Sequence, residues 1–215
     1  MIKEFNVIVI GAGAAGLMSA IEAGKRGRKV LLLDHAKKIG EKIRISGGGR
    51  CNFTNLNTDA SKFISQNSNF VKSALKQYSH ENFISLVESH KIKFHEKKLG
   101  QLFCDESAQQ IIDMLLLEAE KAKVTLKKEI LITDISIIDN EYIVSFGNNS
   151  YHCESLIIAS GGLSIPKIGA SKFGYDLARK FNLKVIETMP ALVPLTFSEK
   201  ILTICKGLAG LSLEA

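Results

Sequence analysis

Three groups of residues in this chain have types and spacings suited to holding a nucleotide. Gly11-Ala12-Gly13-Ala14-Ala15-Gly16 follows an apolar run and precedes a helical pattern. In that context Gly11 permits the tight turn, Gly13 lets the backbone approach a pyrophosphate, and Gly16 lets helix and strand pack closely. The helix N-terminus adds free N–H groups and a partial positive charge for phosphate oxygens. Asp34 falls 18 residues after Gly16 (34 − 16), where a carboxylate accepts hydrogen bonds from an adenosine ribose. An anion there repels a ribose 2′-phosphate, so the pocket admits FAD or NAD rather than NADP. The second group, Ser46-Gly47-Gly48-Gly49-Arg50-Cys51-Asn52, comes shortly after Lys42. Successive backbone N–H groups in such a turn hold anionic or carbonyl oxygens, and the turn is placed to follow a cofactor longer than one nucleotide. The third, Ser160-Gly161-Gly162, stands at the end of another apolar run.

Few side chains offer chemistry beyond binding. Arg50 is the main candidate for stabilising negative charge on a cofactor, with a surface ion pair as the alternative. Cys51 is either a thiolate favoured by its arginine neighbour or a small residue beside the cofactor. His35 follows Asp34 and so stands near the adenosine side. The other histidines show no partner motif, and no Ser/His/Asp or paired-carboxylate pattern occurs. No catalytic residue is assigned and no metal site is expected.

The elements that must position these groups can be read from hydrophobic patterning. Phe5–Ile10 and Lys29–Asp34 are strands covered on both faces, joined through a helix from Leu17 to Lys25. Such a connection makes them parallel with a right-handed crossover. Ile39–Asn57 is a glycine-rich polar loop. Helical patterns follow at Asn69–Tyr78 and His80–His90, then strand-like pieces at Lys93–Lys97 and Gln101–Cys104. In Glu106–Lys123, Ala108, Ile112, Leu115, Leu116, Ala119 and Ala122 share one helix face. Glu129–Ile138, Glu141–Phe146 and Ser155–Ile158 alternate as sheet, separated by turn residues Asp139-Asn140 and Gly147-Asn148-Asn149. A last helix spans Lys172–Phe181, and Pro190-Ala191-Leu192-Val193-Pro194-Leu195 suits an extended crossing.

The 215 residues are 46% hydrophobic and 23% charged, a composition that forms a core rather than a disordered chain. No apolar run reaches the ~18–20 residues of a membrane span, and no secretory signal precedes the first glycine turn. The expected compartment is the cytoplasm, with no membrane partner. The net charge is +6, yet the lysines are scattered in pairs such as Lys97-Lys98. They read as solvated surface rather than a dedicated nucleic-acid patch. The four cysteines, Cys51, Cys104, Cys153 and Cys205, form no CxxC or zinc pattern.

The run GEKIRISGGGRCNFTN, with GAGAAGL before it, closely resembles the BaiN/YhiN-like, or aminoacetone-oxidase-type, family of FAD-dependent oxidoreductases. ASGGLSIP with Gly174-Tyr175, and PALVPL, match it as well, so the resemblance covers nearly the whole chain. It implies a Rossmann-like α/β fold of the two-dinucleotide-binding flavoprotein type, with a central parallel sheet and a β-meander. It implies FAD bound non-covalently, with Gly11–Gly16 on the pyrophosphate and Asp34 on the ribose. Lys42 and Ser46–Asn52 would lie along the flavin, the backbone near Ile132 on the adenine, and Ser160-Gly161-Gly162 over the cofactor.

The expected division is residues 1–190 as the cofactor domain, lacking a last piece, and 191–215 as a crossing into a second, substrate-side domain. Leu211–Ala215 reads as a strand just beginning, and a C-terminal segment is expected to complete the flavin site. The function implied is hydride transfer between a small organic substrate and FAD, with NAD(P)H or oxygen as the other redox partner. Two alternatives stand beside it. One is a nucleotide-binding fragment without activity. The other is a flavoenzyme acting on RNA, motivated by the basic charge and by flavin-dependent tRNA modifiers with such domains.

Overall fold

The computed structural model describes residues 3–165, 169–189 and 196–208. Pro190–Leu195 and Leu211–Ala215 lie outside them. The chain opens with β1 (Lys3–Ile10), α1 (Ala14–Lys25) and β2 (Val30–Leu33). β1 and β2 are parallel, Val7 facing Val30 and Ile10 facing Leu33. Alternate residues enter different cores. Val7, Val9, Val30 and Leu32 pack with α1, whereas Ile8, Ile10, Leu31 and Leu33 pack on the opposite face. Burial on both faces explains why these strands are almost continuously apolar.

The main sheet has six strands in the order β6-β2-β1-β9-β8-β7. β6 (Thr125–Lys127), β2, β1 and β9 (Asn149–Ile158) are parallel. β7 (Asp134–Ile138) and β8 (Glu141–Phe146) complete an antiparallel meander with β9. The expected strand Glu129–Ile138 begins only at Asp134. Glu129 takes φ +59°, and the Ile130 amide donates to the Asp34 carbonyl at 3.0 Å. That diversion sends residues 130–132 across the strand ends rather than along the sheet. Thr125–Lys127 is instead the parallel outer strand.

The glycine-rich stretch after β2 contains more structure than a loop. α2 (Glu41–Ile45) is followed by a 3-10 turn, Ser46–Gly49, and by β3 (Asn52–Asn55). Arg44 fastens α2 by donating to Glu41 at 3.2 Å and to the Ile39 carbonyl at 3.3 Å, and it also bonds Gln109. β3, β5 (Gln101–Cys104) and β4 (Phe94–Glu96) form a small antiparallel sheet. It is backed by α4 (His80–Ser89), where Phe53 meets Phe83 at 6.1 Å and Phe94 at 5.3 Å. α3 (Lys72–Gln77) precedes α4, which starts with a capping box between Ser79 and Asn82. α5 (Gln109–Lys121) buries the apolar face its periodicity marks, against α1 and α2. α6 (Phe173–Lys180) and α7 (Glu199–Lys206) follow.

Glu118 on α5 ties these layers together. Its carboxylate meets Lys121 at 2.8 Å, His90 at 3.0 Å and Lys25 at 3.4 Å. The Lys121 ammonium foremost, then His90 and Lys25, holds the carboxyl down at about 2 against the cost of burial. Among the described residues no helix is long and apolar enough to cross a membrane.

Candidate functional site

A cavity of about 310 Å³ opens at the carboxyl ends of β1, β2 and β9. Ligands in open α/β sheets sit at this edge, where the strand order reverses. The chain builds it from three turns. After β1, the Gly11 amide donates to the Leu33 carbonyl at 2.7 Å, so the turn hugs the end of β2. Gly11 has φ +104°, and a Cβ there would lie 2.4 Å from the Ala159 carbonyl. A Cβ on Gly16 would come within 1.7 Å of the Gly11 carbonyl oxygen. These two glycines allow α1, β1 and β9 to approach. Gly13 differs: a Cβ there would meet no protein atom within 4 Å, and Gly13 lines the cavity. The space is open toward whatever the cavity holds.

The first turn of α1 carries no acidic residue, and no side chain caps it among the described residues. Its amides at Ala14, Ala15 and Gly16 precede the first intrahelical bond, made by the Leu17 amide to Gly13. A helix end with unmet N–H groups beside a cavity suits an anion. Asp34 lies opposite. Its Oδ2 accepts from the Ala12 amide at 2.6 Å and its Oδ1 from the Ala36 amide at 2.8 Å. Both oxygens keep lone pairs for a sugar hydroxyl, and the side chain is only 11% exposed. His35 stands at the mouth, with Nδ1 3.5 Å from Asp34 and Nε2 against the turn at Gly169.

The structure brings Gly11, Gly13, Asp34, His35, Lys42, Ile132, Ser160, Gly161 and Gly162 into one cavity wall. Ala12 and Gly16 are buried behind the turn, and Ala14 and Ala15 are exposed at the head of α1. Lys42 crosses from α2 toward Gly161, its Nζ 4.0 Å from where a Cβ on that glycine would stand. The wall also contains Ile130, Leu131, Phe173 and Lys38, which sequence reasoning missed. Ile130-Leu131-Ile132 carries a strand signal, and only the diversion at Glu129 turns it into the apolar end of the pocket.

Ser46 to Asn52 do not line this cavity. They continue from α2 beyond the Lys42 rim and close onto the small sheet. The Ala108 amide donates to Gly49 at 2.7 Å, and the Cys104 amide to Arg50 at 2.9 Å. Gly47, Gly48 and Gly49 take φ of +58°, +66° and +88°, so the triple glycine is required for handedness. The Arg50 side chain is exposed and makes no hydrogen bond or ion pair among the described residues, so the surface-pair alternative finds no partner there. Cys51 is buried with φ +52°, and burial pushes its thiol up despite a hydrogen bond with Ser46. Cys104 is pushed up to about 12 by burial and by neighbouring Cys51. Neither thiol is disposed to ionise.

The two-faced, mostly parallel sheet and the glycine turn define a Rossmann-like α/β domain. The HI0933-like protein Rossmann domain matches residues 5–213, and the chain belongs to that family. The ribosomal RNA dihydrouridine synthase of Escherichia coli K12 is 47% identical over 213 residues, covering 99% of this chain and 53% of that protein. The protein of the same name from Haemophilus influenzae is 46% identical, over 94% of this chain and 52% of its own length. The 3-dehydro-bile acid delta(4,6)-reductase of Clostridium scindens is 27% identical, over 87% and 46%. The chain thus spans about half the length of these curated relatives. Among solved structures, glycine oxidase from Geobacillus kaustophilus shares the fold with a TM-score of 0.54 at 16% identity, over 74% of this chain and 56% of its own.

Proposed function

We propose that this chain is the FAD-binding part of a flavin-dependent reductase that converts uridine in ribosomal RNA to dihydrouridine, using a nicotinamide nucleotide as electron source. The observation that carries this reading is the 47% identity to a protein of that name across 99% of the chain. The cavity residues fit the cofactor. Free amides of α1 and the open side of Gly13 suit the pyrophosphate, Asp34 the adenosine ribose, and Ile130 to Ile132 with Phe173 an adenine. A volume near 310 Å³ is at the low end of the ~300–1,000 Å³ of small-molecule sites. It matches the adenosine half, leaving the flavin half to run past Lys42 toward Ser46–Asn52.

Bound FAD would supply two-electron, hydride-transfer chemistry. The chain's own part is binding and orientation. The α1 N-terminus and Lys42 neutralise phosphate charge, Asp34 fixes the ribose, and Arg50 is free to meet charge on the flavin side. In this reading residues 1–190 are the cofactor domain, 191–215 the crossing toward a substrate-side domain, and a further C-terminal segment completes the flavin site.

Reconstitution with FAD tests the first half of this reading: retained flavin absorbance after gel filtration is expected, and a colourless protein would overturn it. Adding the complementing segment, NADPH and unmodified ribosomal RNA should then yield dihydrouridine by mass spectrometry. FAD retention with no such product would favour a second reading, reduction of a small organic substrate. That reading is supported by the bile-acid reductase relative at 27% identity. The aminoacetone-oxidase type implied by the triple-glycine motif has less support, because the relatives near 47% bear the RNA name.

A further inference from the structure

The segment between β3 and α4 leaves large apolar side chains in solvent. Residues 61–70 are exposed without interruption, and Phe63 is 43%, Ile64 100% and Phe70 76% exposed. Single exposed hydrophobics need no explanation, but large ones gathered on one short segment mark a contact surface. The segment is held at both ends. The Leu56 amide donates to Gly100 at 2.8 Å, Asn55 and Asn57 both donate to the Leu99 carbonyl, and the capping box at Ser79 fixes its exit.

Charge identifies the class of partner. Lys62, Lys72 and Lys76 are interleaved with the aromatic positions, and Asp59 is the one acidic residue from 56 to 78. Protein interfaces deplete lysine around their apolar centres. Single-stranded nucleic-acid sites combine exposed rings, on which bases stack, with cations that follow the backbone. Sequence-specific RNA recognition likewise takes unpaired bases onto aromatic side chains. The location agrees, since β3 carries the chain straight from the triple-glycine turn into this segment.

We propose that residues 56–78 form a stacking platform for single-stranded RNA, with Phe63 and Phe70 receiving bases and Lys62 and Lys72 receiving phosphates. The proposal rests on the RNA reading above and deepens it by naming where the unpaired strand lies. A strand laid here would be delivered beside the flavin side of the site, rather than at the adenosine cavity.

The test uses the full chain reconstituted with FAD and a fluorescent oligouridine, with anisotropy read at several salt concentrations. Phe70→Ala and Phe63→Ala are each expected to weaken binding about 5- to 100-fold, the range of one lost base stack. Lys62→Ala should lower the slope of log affinity against log salt by about 0.7. Because Phe70 is largely exposed, its replacement leaves the melting temperature in place. Arg26→Ala, at the far end of α1, serves as the control and should leave the salt slope unchanged, with affinity altered less than about twofold. If wild type binds oligouridine but both phenylalanine variants bind equally well, the platform is overturned and the RNA reading stands. If wild type binds no oligouridine even at low salt, both fall. If Phe70→Ala alters only the sedimentation of the chain, the surface belongs to a protein partner and the platform is overturned.

Discussion

The two glycine turns use the same residue for different physical reasons. In Gly11–Gly16, two of the three motif glycines are forced by crowding, and the third faces open space toward the cavity. In Ser46–Asn52, Gly47 is crowded by the Phe103 ring and the Asn52 amide, but a Cβ on Gly48 or Gly49 would meet nothing closer than about 4 Å, and what all three share is a left-handed backbone. The first turn is therefore a packing joint with one opening for a ligand. The second is a bend whose outer side, carrying exposed Arg50, is left unfilled by the described residues. A spacing rule captures the first kind because each position has its own steric cause. The second is recognisable only as a run.

Substitutions should separate these causes. Gly16→Ala is expected to have the largest effect, since its Cβ would sit 1.7 Å from a backbone oxygen. Loss of about 4 kcal/mol or more, or of a cooperative melt altogether, is the outcome to look for in thermal denaturation. An unchanged melt would mean the turn is not a packing joint. Gly13→Ala should do the reverse. Stability should hold within about 0.5 kcal/mol, while FAD affinity by fluorescence quenching falls at least about tenfold, roughly 1.4 kcal/mol, because the added methyl occupies the ligand's approach.

A third prediction concerns the link between the two regions. Glu118 joins Lys25 of the cavity layer to His90 behind the small sheet. Its carboxyl titrates at about 2 in the fold, against 4.5 ordinarily. A depressed carboxyl contributes its stability above the unfolded value, and that contribution disappears as pH falls from about 4.5 to about 2. Glu118→Gln should cost about 1–2 kcal/mol near neutrality and flatten the acid limb of a melting-temperature profile. Parallel acid limbs for variant and wild type would refute the link. The smallest effect is expected at the second turn. Gly48→Ala adds a Cβ in open space but at φ +66°, costing about 1 kcal/mol of left-handed strain. Its chemical-denaturation midpoint should shift only slightly.

Much of the first region was legible in the sequence. The doubly buried strands, the glycine turn and Asp34 at the end of β2 are local signals, and the α5 stripe predicts its buried face. Less was legible where the signal is local but the outcome is not. Ile130-Leu131-Ile132 has every mark of a strand, yet bonding to the Asp34 carbonyl sends it across the cavity. α2 is hidden in a glycine-rich stretch because Arg44, anchored to Gln109 and Ile39, stabilises five residues that would not form a helix alone.

What the sequence determined by itself was the α/β class, the nucleotide-binding turn and the acidic residue paired with it, because glycine sterics and strand periodicity act over a few neighbouring residues. Only the tertiary structure decided which of those residues share a cavity and that the triple glycine stands beyond its rim. Those outcomes depend on contacts between segments as distant as Gly11 and Ala159, which no local pattern encodes.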